Sequence, residues 1–140
     1  MKRYLIVVFL AFLALSAFSA IAAEKHEPAA KEVAMKYFEV LMAGDIEKAN
    51  EFSTVPYSLD CWETLTKKEQ VEEEHKNIVD IKGKRAVPEY EVTVPQNPEK
   101  LDPTVFPEYA VYRINIEGMD EHVDIYVKSG ENPKVIGFND

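Results

Sequence analysis

The segment from Pro28 to Asn50 restricts the fold of this chain more than any other. Ala30, Val33, Ala34, Tyr37, Phe38, Leu41 and Met42 recur at i, i+3, i+4 and i+7, the rhythm of a helix with one buried face. Pro28 suits the first turn, where a missing N–H costs nothing. Gly44 stands where a helix closes on a left-handed residue, and Asp45 is a good N-cap for a second short helix over Ile46 to Phe52. A helical hairpin this early must lay its apolar face on something, and the second half of the chain reads mostly as strand.

Ahead of it, Lys2 and Arg3 precede an uncharged run from Tyr4 to Ala23 that ends in small residues. Ala20-Ile21-Ala22 fits an A-x-A cleavage site, so 1–22 reads as a secretory signal peptide and 23–140 as one exported domain, periplasmic or secreted. The rival reading is a retained N-terminal anchor, since the run approaches spanning length. No cysteine comes after the run at the spacing of a lipid attachment site, which argues against a lipoprotein.

Residues 1–22 hold two of the sixteen basic residues and none of the twenty-five acidic ones, so cleavage leaves 118 residues with a net charge of −11. That length supports one modest core. The charge repels phosphate backbones and anionic lipids, which excludes nucleic acid as a partner class. After cleavage no segment is expected to span a membrane. Cys61 is the single cysteine, so no disulfide framework holds the domain. Without a neighbouring cation to lower its pKa, it reads as a small hydrophobe rather than a reactive thiol.

Ser53 to Pro56 reads as a loop, and Tyr57 to Trp62 as a short strand or strand-like turn. Thr66 and Glu69 have capping-box spacing for a third helix, whose thin apolar stripe is Val71, His75, Ile78 and Val79. Lys82-Gly83-Lys84 is expected to close it. Tyr90, Val92 and Val94 then alternate with polar residues, and Pro95 opens a proline-rich irregular loop.

The next two strands can be registered from their pattern. Tyr109 to Ile116 and Glu121 to Lys128, joined through Gly118-Met119, set Ile114 against Val123, Tyr112 against Ile125 and Ala110 against Val127 on one face. The other face pairs Arg113 with Asp124 and Asn115 with His122. A slip of one residue would oppose Ile114 to Asp124, which disfavours it. Lys134 to Phe138 makes the last strand.

Helix, helix, short strand, helix and a strand meander is an α+β order. With Val33, Tyr37, Phe38, Leu41, Gly44-Asp45 and Ala49, then Pro56-Tyr57 with Asp60, and the closing strand ending at Phe138, the chain resembles the nuclear transport factor 2-like superfamily. That is the cone fold shared with ketosteroid isomerase and polyketide cyclases. The resemblance implies three helices packed on the concave face of a curved, mostly antiparallel sheet, with room for an apolar pocket. Tyr37, Phe38, Tyr57, Trp62 and Tyr112 are the side chains expected against a bound apolar molecule. Relatives include enzymes, ligand binders and dimerisation modules, so the fold does not choose among them.

The inward face of the registered hairpin carries no carboxylate, amide or imidazole, only the Tyr112 hydroxyl. Asp60 is the remaining candidate for a general base, since burial beside Trp62 would raise its pKa. The simpler reading is a turn aspartate. His75 lies on an inward stripe and could assist Asp60 if the two met, or be a hydrogen-bonded core residue. His122 and Asp124 share a face but lack a third ligand, so no metal is expected, and no motif calls for a cofactor. Val111 and Tyr126 on the outer sheet face could serve a homodimer. The leading expectation is a non-catalytic exported domain that binds an apolar small molecule or a protein partner, through homodimerisation. The alternative is an isomerase, dehydratase or cyclase-like enzyme using Asp60.

Overall fold

A computed structural model describes residues 28–82 and 86–140. The expected signal peptide, the polar stretch 23–27 and the expected Gly83-Lys84 helix stop lie outside the described residues. Among these, three helices pack against one face of a six-stranded, mostly antiparallel sheet, an α+β architecture.

Helix α1 runs over 28–42. It closes through two bonds: Gly44 N–H to Leu41 O at 3.1 Å and Asp45 N–H to Val40 O at 2.9 Å. Gly44 takes φ 78° between them. This is a Schellman closure, in which glycine accepts the left-handed backbone without a Cβ penalty. Asp45 then caps α2 (Ile46–Phe52) by accepting from Lys48 N–H.

Where α2 ends, β1 (Ser53–Leu59) starts at once, so the expected loop at Ser53 to Pro56 is strand. Pro56 is tolerated because the pairing of β1 with β6 shifts register between Ser53 and Ser58, leaving the proline at a bulge. A tight turn at Asp60 and Cys61 leads to β2 (Glu63–Leu65), a strand too short for alternation to reveal. Helix α3 (Lys68–Lys82) buries Val71, His75 and Val79, with Ile78 partly covered. Its start differs from the expected T-x-x-E box. Gln70 Oε1, not Glu69, accepts from the N–H groups of Thr66 and Lys67.

The remaining strands are β3 (Tyr90–Thr93), β4 (Tyr109–Ile116), β5 (His122–Lys128) and β6 (Lys134–Asn139). Their sheet order is β2-β1-β6-β5-β4-β3, with β1 and β6 parallel and the other neighbours antiparallel. The β4–β5 register is the one expected, Ile114 facing Val123, Tyr112 facing Ile125 and Arg113 facing Asp124. The connecting loop is longer than two residues, because Met119 N–H turns back to Ile116 O.

Both faces of the sheet are covered. The helix side packs Tyr37, Phe38, Leu41, Val71 and Val79 on Tyr57, Tyr112, Ile114, Ile125, Val127 and Phe138. On the other side, Leu101 and Phe106 of the proline-rich loop lie on Val111, Tyr126 and Ile136. Tyr126 donates its hydroxyl to Glu99 O at 2.8 Å, and Leu101 N–H donates to the Tyr109 hydroxyl at 3.0 Å. The loop is thereby fastened at two points. The sheet face expected to be open to a partner or to solvent is, at Val111 and Tyr126, an interior of the same chain.

Candidate functional site

The chemistry-bearing residues fall into two groups, one between the helices and the sheet and one at the surface. The inner group is a chain of polar side chains from three helices and a strand. Tyr37 comes from α1, Asn50 from α2, His75 from α3 and Tyr57 from β1. The Tyr37 hydroxyl lies 2.7 Å from the Tyr57 hydroxyl and 2.8 Å from His75 Nε2. On the other side of the ring, Nδ1 meets Asn50 Oδ1. An amide oxygen only accepts, so Nδ1 carries the imidazole proton and Nε2 accepts from Tyr37. Tyr37 in turn accepts from Tyr57. The sense of every bond is thus set from one end of the chain to the other.

Burial keeps this chain uncharged. It pushes the Tyr37 and Tyr57 hydroxyls well above the ordinary tyrosine range and His75 down to about 4. His75 is a neutral imidazole at pH 7. It is also sealed: Tyr37, Phe38 and His75 have no accessible surface, and Tyr57 and Tyr112 keep 1% each. Four of the five residues expected against a ligand are therefore packed core.

The fifth, Trp62, is 89% exposed in the β1–β2 turn. Asp60 lies two residues before it. Asp60 and Cys61 have φ 49° and 60°, and Trp62 N–H bonds back to Leu59 O, as in a tight hairpin turn with two left-handed residues. Aspartate tolerates that backbone, which accounts for its presence there. The premise of a buried Asp60 under Trp62 does not hold, because both are exposed. Nor does Asp60 reach His75 as an acid/base pair, since Tyr37 and Asn50 occupy both ring nitrogens.

Asp60 instead borders a shallow pocket of about 180 Å³ with a floor of Leu59, Ile78, Ile81 and Phe138. The carboxylates of Asp60, Glu74 and Asp140 stand around it. Ile81 is 83% exposed, so this end of the domain holds the two most exposed large apolar side chains among the described residues.

No known protein family, no curated protein and no solved structure matches the chain.

On the opposite sheet face, Arg113 Nε and a terminal nitrogen each meet an Asp124 oxygen at 2.8 Å, and Asp124 is only 3% exposed. Asp124 is thereby held by a two-pronged ion pair. Among the described residues no group of three or more His, Cys, Asp or Glu side chains could hold a metal ion. No described helix is long and apolar enough to cross a membrane. Cys61 is half-buried, its thiol pushed up by burial, and it donates to the Tyr126 hydroxyl at 3.3 Å. That environment is the reverse of one that activates a thiol.

Sequence reasoning missed Asn50, the partner that fixes the imidazole tautomer. Its only signal was its place in the last turn of α2, where asparagine more often serves the backbone.

Proposed function

We propose that the chain is an exported, non-catalytic binding domain of the nuclear transport factor 2-like type, which recognises a protein partner at its surface around Trp62. What supports this reading is a contrast in exposure. The aromatic residues that would line an internal pocket have 0–1% of their surface accessible, whereas Trp62 has 89%. A large aromatic side chain left in water costs solubility and is the residue type most often found at the centre of interfaces.

The chemistry of the surface defines the partner. The apolar floor of Leu59, Ile78, Ile81 and Phe138 takes an aliphatic stem, and the surrounding carboxylates take a positive head. Lysine and arginine side chains of a partner protein combine the two. A homodimer on the outer sheet face has little to gain, because the loop holding Leu101 and Phe106 already covers Val111 and Tyr126.

Trp62 is the only tryptophan, so its emission reports on this surface alone. A photo-crosslinking residue introduced at position 62 of the full chain should capture a discrete partner in extracts of the producing cell. The same residue at Glu47, on an exposed part of α2, should not. Equal capture at both positions defeats the proposal, as does a turnover that Asp60→Asn abolishes.

A further inference from the structure

At the far edge of the sheet from Trp62, the outer edge of β3 is unpaired among the described residues, and the geometry points to a second docking site there for an extended, basic segment of a partner protein added as a seventh strand. The inference goes beyond the proposed function and does not depend on the Trp62 surface. Strand β3 ends the sheet order, so among the described residues no strand pairs with its outer edge. The register decides which backbone groups face that edge. Glu117 N–H donates to Glu89 O at 2.9 Å, and hydrogen-bonded pairs alternate along an antiparallel ladder. Glu91 with Asn115 and Thr93 with Arg113 are then the bonded pairs of β3 and β4. Tyr90 and Val92 must direct their N–H and C=O groups away from β4, toward an incoming strand.

Pro88 and Pro95 bound this edge, so it accepts a segment of about six residues. An open groove of about 670 Å³ lies where β3 begins and β4 ends, lined in part by Glu89, Tyr90 and Glu91 on one side and Asn115 and Glu117 on the other. The three glutamates are exposed and share the face that Asn115 marks, while Tyr90 and Val92 pack toward the helices. An added strand therefore meets the Glu89 and Glu91 carboxylates and the Thr93 hydroxyl on one face, and the apolar side chains of Tyr90 and Val92 on the other. The fitting sequence alternates lysine or arginine with aliphatic residues. A second copy of this acidic chain is disfavoured by the same charges.

The test uses the full-length protein and an end-blocked hexapeptide alternating lysine and valine, with an alternating glutamate–valine peptide as control. Binding of the basic peptide should slow hydrogen exchange at the Tyr90 and Val92 amides and not at Glu91. Val92→Pro removes an outward N–H without touching the β4 ladder, and should weaken binding by about tenfold or more. Glu91→Lys with Glu117→Lys should abolish the preference over the acidic peptide and its salt dependence, while Trp62→Ala should leave both intact. Circular dichroism confirms that each variant is folded. Unchanged Tyr90 and Val92 exchange, equal affinity for the two peptides, or indifference to both edge variants overturns the inference.

Discussion

Tyr37 donates its hydroxyl to His75 Nε2 at 2.8 Å, and that bond ties α1 to α3 inside the core. The same oxygen accepts from Tyr57, so one phenol serves two partners from different elements. Polar groups in this position are satisfied together or not at all. Among the described residues, no buried side-chain nitrogen or oxygen lacks a partner.

Removing the middle of the chain should therefore cost more than removing its end. Tyr37→Phe leaves both His75 Nε2 and the Tyr57 hydroxyl without their partner, a loss of about 2–3 kcal/mol. Tyr57→Phe ends the chain one residue early and should cost about 1 kcal/mol. Urea unfolding of the two variants against the parent measures the difference, and equal losses would show that the hydroxyls are not acting in series.

The pH dependence comes from His75. Its folded pKa is depressed to about 4, below the ordinary 6.5, so the unfolded chain takes up the proton first. Stability from this residue is complete above pH 6.5 and is lost as pH falls from 6.5 to 4, by about 3 kcal/mol in all. His75→Gln keeps hydrogen-bonding groups but cannot titrate. The parent should lose stability faster than this variant across that window, and parallel unfolding curves between pH 7 and 4 would exclude the mechanism.

Gly137 marks a tight approach between strands. A Cβ built there meets Ser58 O at 3.1 Å and Tyr126 Cβ at 3.2 Å. Gly137→Ala must push apart β1 and β6 or displace Tyr126, at a cost of roughly 1–3 kcal/mol. Because Tyr126 also holds Glu99, the variant should speed proteolysis within 96–107. Thermal unfolding and limited proteolysis read the two effects separately.

Breaking the Arg113–Asp124 pair from one side exposes the asymmetry of buried charge. Arg113→Ala abandons a carboxylate that is 3% exposed and should cost about 3 kcal/mol. Lysine cannot reproduce the two-pronged contact, so Arg113→Lys should recover only part of the loss. Replacing both residues by an apolar pair should cost less than Arg113→Ala alone. Denaturant midpoints of the three variants decide it.

Much of the fold is legible from local pattern because the local signals agree with one another. Gly44 and Asp45 divide the helical hairpin where they were expected to, since closure and capping are properties of adjacent residues. The β4–β5 register is legible because a one-residue slip would turn every apolar side chain to the wrong face. β1 was harder. Ser53 to Pro56 reads as a loop, and only the bulge against β6, at the far end of the chain, makes room for Pro56 inside a strand.

The sequence by itself determined the α+β order, the helix boundaries at Gly44 and Asp45, and which face of β4 and β5 meets the helices. Each of these comes from periodicity or from the conformational limits of neighbouring residues. Only the tertiary structure decided which side chains those faces meet. It brought Asn50 and Tyr37 to the two nitrogens of His75, filled the space where a ligand was expected, and left Asp60 and Trp62 in water. It also folded 96–107 over the outer sheet face, burying Tyr126 completely. The bonds of the Tyr57–Tyr37–His75–Asn50 chain join residues 20, 38 and 25 positions apart. Contacts at that range leave no periodic trace in the chain, because they depend on how whole elements pack and not on any neighbouring pair.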